Sequence, residues 1–263
     1  MSSCEPPTTE QIDNYILKKL ENKPQVSEGK NALIMVGGPG SGKSSTKLMA
    51  LEHLGLNTQT FVDIDPDEAM TSLLNNNNKC RWKANSITGK LFKEASNNGY
   101  NIIYDGTGKT FKNYFSSKIK YLKKRGYNVT LCINILDVDE AIVRISRRAK
   151  MTGRDVAEED TMKMYMQLEE SIPKYLGVSC VDVDKILVYN TMLSPPLVYE
   201  MSCESHGRVA RCFIKDNALF NELCPSCCEN SKKRKRIGGK KHIKTRRRMS
   251  DKRRVKTRRR HIK

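Results

Sequence analysis

The amino-acid sequence predicts an α/β protein with a doubly wound, mostly parallel sheet. Short apolar runs alternate with segments of helical periodicity through most of the 263 residues. This alternation requires right-handed crossovers between parallel strands, which place helices on both faces of the sheet. In such sheets ligands bind beyond the carboxyl ends of the strands, and a glycine-rich turn stands at the first of these ends. We therefore expect functional residues just after each strand.

The elements follow one another in a regular order. Five buried strands are predicted at Ala32–Val36, Thr60–Ile64, Asn101–Tyr104, Val129–Leu136 and Lys185–Tyr189. Helical patterns fill the intervals, at about 43–54, 87–97, 111–125, 137–150 and 158–174. An amphipathic helix over Thr8–Lys23, with Thr8 and Gln11 suited to a capping box, precedes the sheet. After Pro195-Pro196, the runs LVYEMS and RVARCFI predict an appended β-hairpin.

Charge divides the chain unevenly. Lys and Arg total 48 and Asp and Glu 29, for a net charge of +19. Residues 232–263 hold 19 Lys and Arg and a single acid, Asp251, so the rest of the chain carries only +1. We predict an N-terminal helix and linker over 1–27, a folded domain with the hairpin over 28–228, and a disordered polybasic tail over 229–263.

The turn after the first strand matches the phosphate-loop pattern G-x-x-x-x-G-K-[ST] completely, between a strand and a helix. Its glycines let backbone N–H groups converge on phosphate oxygens at a helix N-terminus. Lys43 is placed to reach the β- and γ-phosphates, and the Ser44 hydroxyl to bind Mg²⁺. The sequence thus predicts a nucleoside triphosphate site made of Gly37, Gly38, Pro39, Gly40, Ser41, Gly42, Lys43, Ser44 and Ser45.

Carboxylates follow the next two strands. Asp63 and Asp65 lie at the end of the second strand, where one such group can accept the proton of an attacking hydroxyl or hold Mg²⁺ through water. We expect chemistry from Asp65, and from Asp67 only a cap on the following helix. Asp105 follows the third strand, in the place of a metal-binding carboxylate; a simple Asp-Gly turn is the other interpretation.

Four arginines follow the fourth strand, at positions 144, 147, 148 and 154. Guanidinium groups on a mobile lid that closes over a nucleotide neutralise charge on the transferring phosphoryl group. A solvated basic helix face is the alternative, and we expect it to explain at least one of the four.

These pieces, in this order, resemble the zeta-toxin family of P-loop kinases over roughly residues 28–192. The resemblance is carried by GGPGSGKSS at 37–45, VDIDPDE at 62–68, NIIYDGTG at 101–108, and the R-x-x-R-R and TGRDVAEE segments between Arg144 and Glu159.

The resemblance implies ATP-dependent phosphorylation of a hydroxyl on a sheet of the P-loop kinase type, with ATP and Mg²⁺ as cofactors. The best known members phosphorylate a UDP-activated amino sugar. By motif position, Asp65 corresponds to the family's catalytic base and Arg154 to a lid arginine, while Asp105 stands where bacterial members usually have Glu. The expected catalytic residues are Lys43, Asp65, Arg147, Arg148 and Arg154, with Ser44 and Asp105 as metal ligands.

The nine cysteines bear on compartment and on metal binding. Their odd number, and their mostly separate positions, favour a reducing compartment. The chain has no run of about 18 apolar residues and no secretory signal pattern, so we expect an intracellular protein without a membrane partner. Two spacings suit structural zinc, and unrelated thiols are the other interpretation: the residues are Cys203, His206, Cys224 and Cys227.

Three functions stay open at this point. The first is a kinase of zeta-toxin type acting on a small hydroxyl compound. The second is a polynucleotide 5′-hydroxyl kinase whose tail holds the substrate, because a polybasic run binds nucleic acid and other polyanions with little sequence preference. The third is a nucleotide-binding protein without enzymatic activity, with a tail that binds nucleic acid. In a eukaryotic cell the composition of the tail is also typical of a nuclear-localisation signal.

Overall fold

The computed structural model describes residues 4–152, 156–203 and 209–214. Within these residues seven strands form one sheet, in the order β2-β3-β1-β4-β5-β6-β7. Neighbouring strands are parallel from β2 to β5, and β6 and β7 continue the sheet in antiparallel pairs. The strands are β1 (Asn31–Val36), β2 (Phe61–Ile64), β3 (Asn101–Tyr104), β4 (Asn128–Ile135), β5 (Lys185–Asn190), β6 (Leu197–Cys203) and β7 (Val209–Ile214).

Helices connect the parallel strands. In chain order they are α1 (Thr9–Leu20), α2 (Lys43–His53), α3 (Pro66–Leu73), α4 (Arg81–Asn97), α5 (Phe111–Tyr114), α6 (Lys120–Lys123), α7 (Val138–Thr152) and α8 (Glu158–Leu176). A π-helical turn, Phe115–Ile119, joins α5 to α6. In the part of the chain that the structure describes, no helix combines the length and the apolar composition needed to cross a lipid bilayer.

The strand order makes the end of β1 the switch point of the sheet. The chain leaves β1 for β2, two places away on one side, and later returns to β4 on the other side. Connections that diverge from one strand leave a crevice at its carboxyl end, where ligands of such sheets bind. The inner strands are buried almost throughout, as expected for parallel strands covered on both faces.

The strand predictions are confirmed to within one residue at either end. The capping box at Thr8 is also confirmed, because the Thr8 hydroxyl accepts from the Gln11 N–H and the Gln11 side chain accepts from the Thr8 N–H. The predicted hairpin forms, but its strands extend the main sheet at the edge of β5.

The helix predictions need three corrections. A helix was expected after Asp67 only as the helix that Asp67 caps, without bounds, whereas α3 begins at Pro66 and is capped by Asp65. α4 begins at Arg81, six residues before the expected start near 87. The single helix expected over 111–125 is instead divided by the π-helical turn.

Disulfides correct the prediction for the cysteines. Cys4 is bonded to Cys80 and Cys180 to Cys203, so these four do not stand apart as expected. The disulfide removes Cys203 from the suggested zinc ligands, and the other three ligands, His206, Cys224 and Cys227, lie outside the described residues. The compartment stays a prediction, as does the polybasic tail over 229–263, which is also outside those residues.

Candidate active site

The phosphate loop crosses the switch point between β1 and α2. β1 ends at Val36 and α2 begins at Lys43, with left-handed backbone at Gly40 (φ +76°) and Gly42 (φ +82°). Only glycine adopts these angles without strain, so the two positions allow the tight turn into the helix. Gly42 is the N-cap and has no side chain to bind the first N–H groups of α2, which leaves them for an anion.

Lys43 is held over this loop. Its Nζ donates hydrogen bonds to the carbonyl oxygens of Gly37, at 2.9 Å, and Gly38, at 3.0 Å. These neutral acceptors keep the ammonium group beside the space that phosphates occupy in loops of this kind. A triphosphate offers the same ammonium group charged oxygens, and charge-assisted hydrogen bonds are the stronger ones.

Residues of α7 and α8 pack directly against the glycines of the phosphate loop. A Cβ on Gly38 would lie 2.3 Å from the ring of Tyr165 in α8, and one on Gly40 would lie 2.8 Å from the Ala141 carbonyl oxygen in α7. The Tyr165 hydroxyl also donates to the Pro39 carbonyl, at 2.9 Å. The loop therefore keeps its shape through contacts that leave no room for side chains at these positions.

A buried amide holds the loop from below. Asn134, which is 2 % exposed in β4, donates to the Ser41 carbonyl at 3.1 Å and to the Thr46 hydroxyl at 2.8 Å. Sequence reasoning missed this residue. The available signal was an amide inside the apolar run of β4, because a buried polar side chain needs partners that are fixed in space.

Asp65 and Asp105 meet at the acidic edge of the site, which we define as Asp63, Asp65, Asp67 and Asp105. Ile64 and Tyr104 are paired in the register of β2 and β3, so the aspartates that follow them are neighbours. The Asp105 N–H donates to the Ile64 carbonyl at 3.0 Å, which holds the two chains together past the strand ends.

Burial favours the neutral forms of both acids. Burial, followed by the charge of Asp105, raises the pKa of Asp65 to about 6. Burial also raises the pKa of Asp105, although the positive charges of Lys43 and Lys47 act against it. A carboxyl group with a pKa near the working pH is suited to accept a proton during reaction.

Lys47 joins the acidic edge to the phosphate loop. Its Nζ lies 2.5 Å from Oδ2 of Asp63. Burial acts to lower the pKa of Lys47, but the carboxylates of Asp63, Asp105 and Asp65 outweigh it and the pKa is raised. Lys47 therefore stays protonated and neutralises part of the acidic edge. It lies one helical turn after Lys43, a spacing that sequence reasoning did not use.

The structure moves the expected cap of α3 from Asp67 to Asp65. Asp65 is the N-cap of α3, and its Oδ1 accepts from the Asp67 N–H at 2.7 Å. Asp67, predicted to be the cap, instead forms an ion pair with Arg81 at the start of α4. Asp65 thus has a structural role in addition to the chemical one expected of it, and its second carboxylate oxygen remains for a ligand.

The predicted arginines do not act as one group. Arg144 donates to Glu140 and to the Thr191 hydroxyl, both at 2.8 Å, so it fixes the segment after β5. Arg147 is exposed on α7, and Arg148 is partly buried there. Arg154 lies outside the described residues.

α8 fastens a second loop of the site. The Ser171 hydroxyl donates to the Lys109 carbonyl, and the Tyr175 hydroxyl to the Gly108 carbonyl, both at 2.8 Å. The Gly37 N–H donates to the Thr107 carbonyl at 3.1 Å, which joins this loop to the phosphate loop. The segment after Asp105 is thereby fixed from two sides.

The oxygen donors present fit a magnesium–nucleotide complex. The Ser44 hydroxyl is exposed on the first turn of α2, and Ser45 is exposed beside it. Within the described ranges, no three His, Cys, Asp or Glu side chains gather as a metal cage. Mg²⁺ in nucleotide sites keeps several waters and takes one or two protein ligands together with phosphate oxygens. Ser44 and Asp105 suit that arrangement.

A phosphate loop at the switch point of a parallel sheet, facing two adjacent carboxylates, defines a nucleotide-binding protein of the P-loop class. The zeta toxin family model matches residues 13–195, which is more than half of the chain. The protein belongs to the zeta toxin family.

Solved structures share this fold at low sequence identity. A structure from the PezAT chromosomal toxin–antitoxin system of Streptococcus pneumoniae is 16% identical with a TM-score of 0.57, covering 73% of this chain and 81% of that one. A structure of AvrRxo1-ORF1:-ORF2 with ATP is 12% identical with a TM-score of 0.56, covering 82% of this chain and 70% of that one.

One curated relative matches a short stretch. A cysteine–tRNA ligase of Brevibacillus brevis is 37% identical over 62 residues, which is 24% of this chain. The chain spans only 13% of the length of that ligase.

Proposed function

We propose that the protein transfers the γ-phosphate of ATP to a hydroxyl group of a small molecule. The observation that carries the proposal is the position of Asp65, a carboxyl group with a raised pKa beside Asp105, at the strand edge next to the phosphate loop. A hydrolase needs only to place water, whereas a kinase needs a base beside a separate acceptor. A nucleotide sugar is the acceptor that the family relationship favours.

In this proposal the phosphate loop binds the nucleotide and Lys43 moves from the Gly37 and Gly38 carbonyls to the β- and γ-phosphates. Asp65 accepts the proton of the acceptor hydroxyl while the oxygen of that hydroxyl forms a bond to the γ-phosphorus. The bond from that phosphorus to the bridging oxygen breaks, and ADP leaves with the electron pair. Ser44 and Asp105 would hold Mg²⁺, which would neutralise part of the charge that develops on the phosphates.

The arginines take different roles in this scheme. The contacts of Arg144 with Glu140 and Thr191 favour a positioning role at the loop after β5. We therefore assign charge neutralisation over the γ-phosphate to Arg154 together with Arg147 or Arg148. Positioning and electrostatic stabilisation supply most of the catalysis in phosphoryl transfer.

One assay tests the proposal. ATP labelled in its γ-phosphate is incubated with UDP-sugars, nucleosides or 5′-hydroxyl oligonucleotides, and labelled product is measured for the wild type, Lys43→Ala and Lys124→Ala. We expect product with a small hydroxyl compound, and its loss in Lys43→Ala by about 100- to 1,000-fold, the typical effect of removing one charge-stabilising group. Lys124 is exposed on the loop after α6, so its replacement serves as the matched control. Binding of ATP without product on any acceptor would instead favour a non-enzymatic nucleotide-binding protein.

The polybasic tail supports a second candidate, a polynucleotide 5′-hydroxyl kinase. Nineteen Lys and Arg within 232–263 bind polyanions by counterion release, with affinity that falls steeply as salt rises. Product on oligonucleotides that disappears when 232–263 is deleted favours this candidate. Unchanged product on a small acceptor after the same deletion favours the first, and leaves the tail a role in nucleic-acid binding or nuclear targeting.

A further inference from the structure

The side chain of Tyr15 brings the N-terminal helix to the acidic edge. Tyr15 is 8 % exposed, and its hydroxyl is buried without a hydrogen-bond partner in the described structure. After burial itself, the charges that act on this hydroxyl are those of Glu68, Asp65 and Asp63. Lys19, one turn after Tyr15, pairs with Glu68 in the first turn of α3, and the buried side chain of Tyr15 therefore lies on the face of α1 that packs against the segment capped by Asp65.

Several contacts fix α1 in the position that presents Tyr15. Lys19, one turn further along the same face, forms an ion pair with Glu68 of α3 at 2.7 Å. The Lys23 Nζ donates to the Gln59 carbonyl at 2.9 Å, just before β2. The Cys4–Cys80 disulfide ties the segment before α1 to the start of α4. A side chain on a helix held at both ends is pre-organised, as a binding residue must be.

Packing alone does not explain the hydroxyl. A phenylalanine fills nearly the same space, and a buried hydroxyl without a partner is destabilising by about 1–3 kcal/mol. Tyr189 is also buried and unpartnered, but it lies in β5, away from the acidic edge. Tyr15 differs in lying on the face of α1 that packs against the first turn of α3, which begins at Asp65.

The neighbouring charges limit what that partner is. Lys47 pairs with Asp63 and Lys19 with Glu68, whereas burial, followed by the charge of Asp105, raises the pKa of Asp65. An anionic group is disfavoured beside two such carboxyl groups. A neutral, hydroxyl-rich group is favoured, because carboxylates accept its O–H bonds while a phenol donates to its oxygens.

We propose that Tyr15 is an acceptor-binding residue, whose hydroxyl donates a hydrogen bond to an oxygen next to the hydroxyl that Asp65 deprotonates. The inference rests on the proposed kinase function. It makes α1 a wall of the acceptor site.

The test compares Tyr15→Phe with Tyr189→Phe, which removes an equally buried hydroxyl. For each variant and the wild type, KM for the acceptor identified by the labelling assay, KM for ATP, kcat and the thermal unfolding temperature are measured. We expect acceptor KM to rise about 3- to 10-fold in Tyr15→Phe, the effect of one neutral hydrogen bond. ATP KM stays unchanged, and the unfolding temperature is equal or higher. Tyr189→Phe keeps the wild-type acceptor KM.

Three outcomes would overturn the inference. An unchanged acceptor KM in Tyr15→Phe shows that the hydroxyl does not contact the acceptor. A fall of several degrees in unfolding temperature without a change in KM shows that it has a structural partner. A rise in acceptor KM of the same size in Tyr189→Phe shows that loss of any buried hydroxyl disturbs the site. Absence of product from the wild type, by contrast, removes the proposed kinase function and the inference with it.

Discussion

The phosphate loop and the acidic edge lie side by side but are built in opposite ways. The loop keeps its shape through close contacts, since Tyr165 and Ala141 leave no space for a Cβ on Gly38 or Gly40. The acidic edge is held by charge: Lys47 and Arg81 pair with two of its four aspartates. Steric fit makes the loop specific in shape and insensitive to pH, whereas the acidic edge depends on protonation. Substitutions confined to the loop test the role of steric fit, and substitutions confined to the acidic edge test the role of protonation.

The largest effect is expected from Asp65→Asn at the acidic edge. We predict a loss of turnover of about 10²- to 10⁴-fold, the usual contribution of a general base. Asparagine remains a good N-cap for α3, so the free energy of unfolding should change by less than about 0.5 kcal/mol. Labelled-product kinetics and urea unfolding of the same preparation measure the two quantities.

Asp65→Ala is the matched comparison, because it removes the cap as well as the base. It should lose turnover equally and also about 1 kcal/mol of stability. Full turnover in Asp65→Asn would show that the assignment of the base is wrong and that Asp65 acts only as a cap.

In the phosphate loop, Gly38→Ala is expected to have the next largest effect. The new Cβ displaces the Tyr165 ring and its hydrogen bond to Pro39. Overpacking of this kind costs about 1–3 kcal/mol, so ATP should bind about 10- to 100-fold more weakly by calorimetric titration. Gly89→Ala is the control: space around Gly89 in α4 is open, and alanine there should stabilise by about 0.5–1 kcal/mol. Wild-type ATP affinity in Gly38→Ala would contradict a sterically fixed loop.

The buried amide beneath the loop should contribute a smaller amount. Asn134→Val leaves the Ser41 carbonyl and the Thr46 hydroxyl without their shared partner. We predict a loss of about 1–3 kcal/mol in urea unfolding. Asn128→Val, at the exposed start of the same strand, should stay within about 0.5 kcal/mol of the wild type. Equal effects of the two replacements would mean that β4 tolerates the change and that Asn134 does not support the loop.

The smallest effect follows from pH. The raised pKa of Asp65, about 6, means that the folded protein keeps this proton where the unfolded chain has lost it. The stability contributed by this group therefore falls as pH rises from about 4 to about 6, and is constant above that range. Turnover should rise about tenfold from pH 5 to pH 7, because only the ionised base is active. A pH–rate profile measures this, and a flat profile over the same range would assign the proton transfer elsewhere.

The sequence was sufficient where one local pattern determines the structure. Apolar runs located the strands, and the spacing of Gly37, Gly42 and Lys43 defined the phosphate loop, because both depend on neighbouring residues in the chain. Asp65 and Asp105 were found for the same reason, since each directly follows a strand.

The remaining features depend on residues that are distant in sequence. The sequence does not distinguish Arg144 from the other arginines of α7, because its hydrogen-bond acceptor, Thr191, lies 47 residues later. Tyr15 lies on the apolar face of an amphipathic helix, and nothing local shows that this face packs against the first turn of α3. The bounds of α3 were hidden because Asp65-Pro66-Asp67 favours a turn and a helix start equally.

One helix, α8, contacts both the phosphate loop and the loop that follows Asp105. Tyr165 holds Pro39 in the phosphate loop, and Ser171 holds Lys109 in the loop that follows Asp105. The two side chains are six residues apart on α8, or about 9 Å along its axis. Because both hydrogen bonds come from one helix, a displacement of α8 moves the two loops together and keeps their spacing.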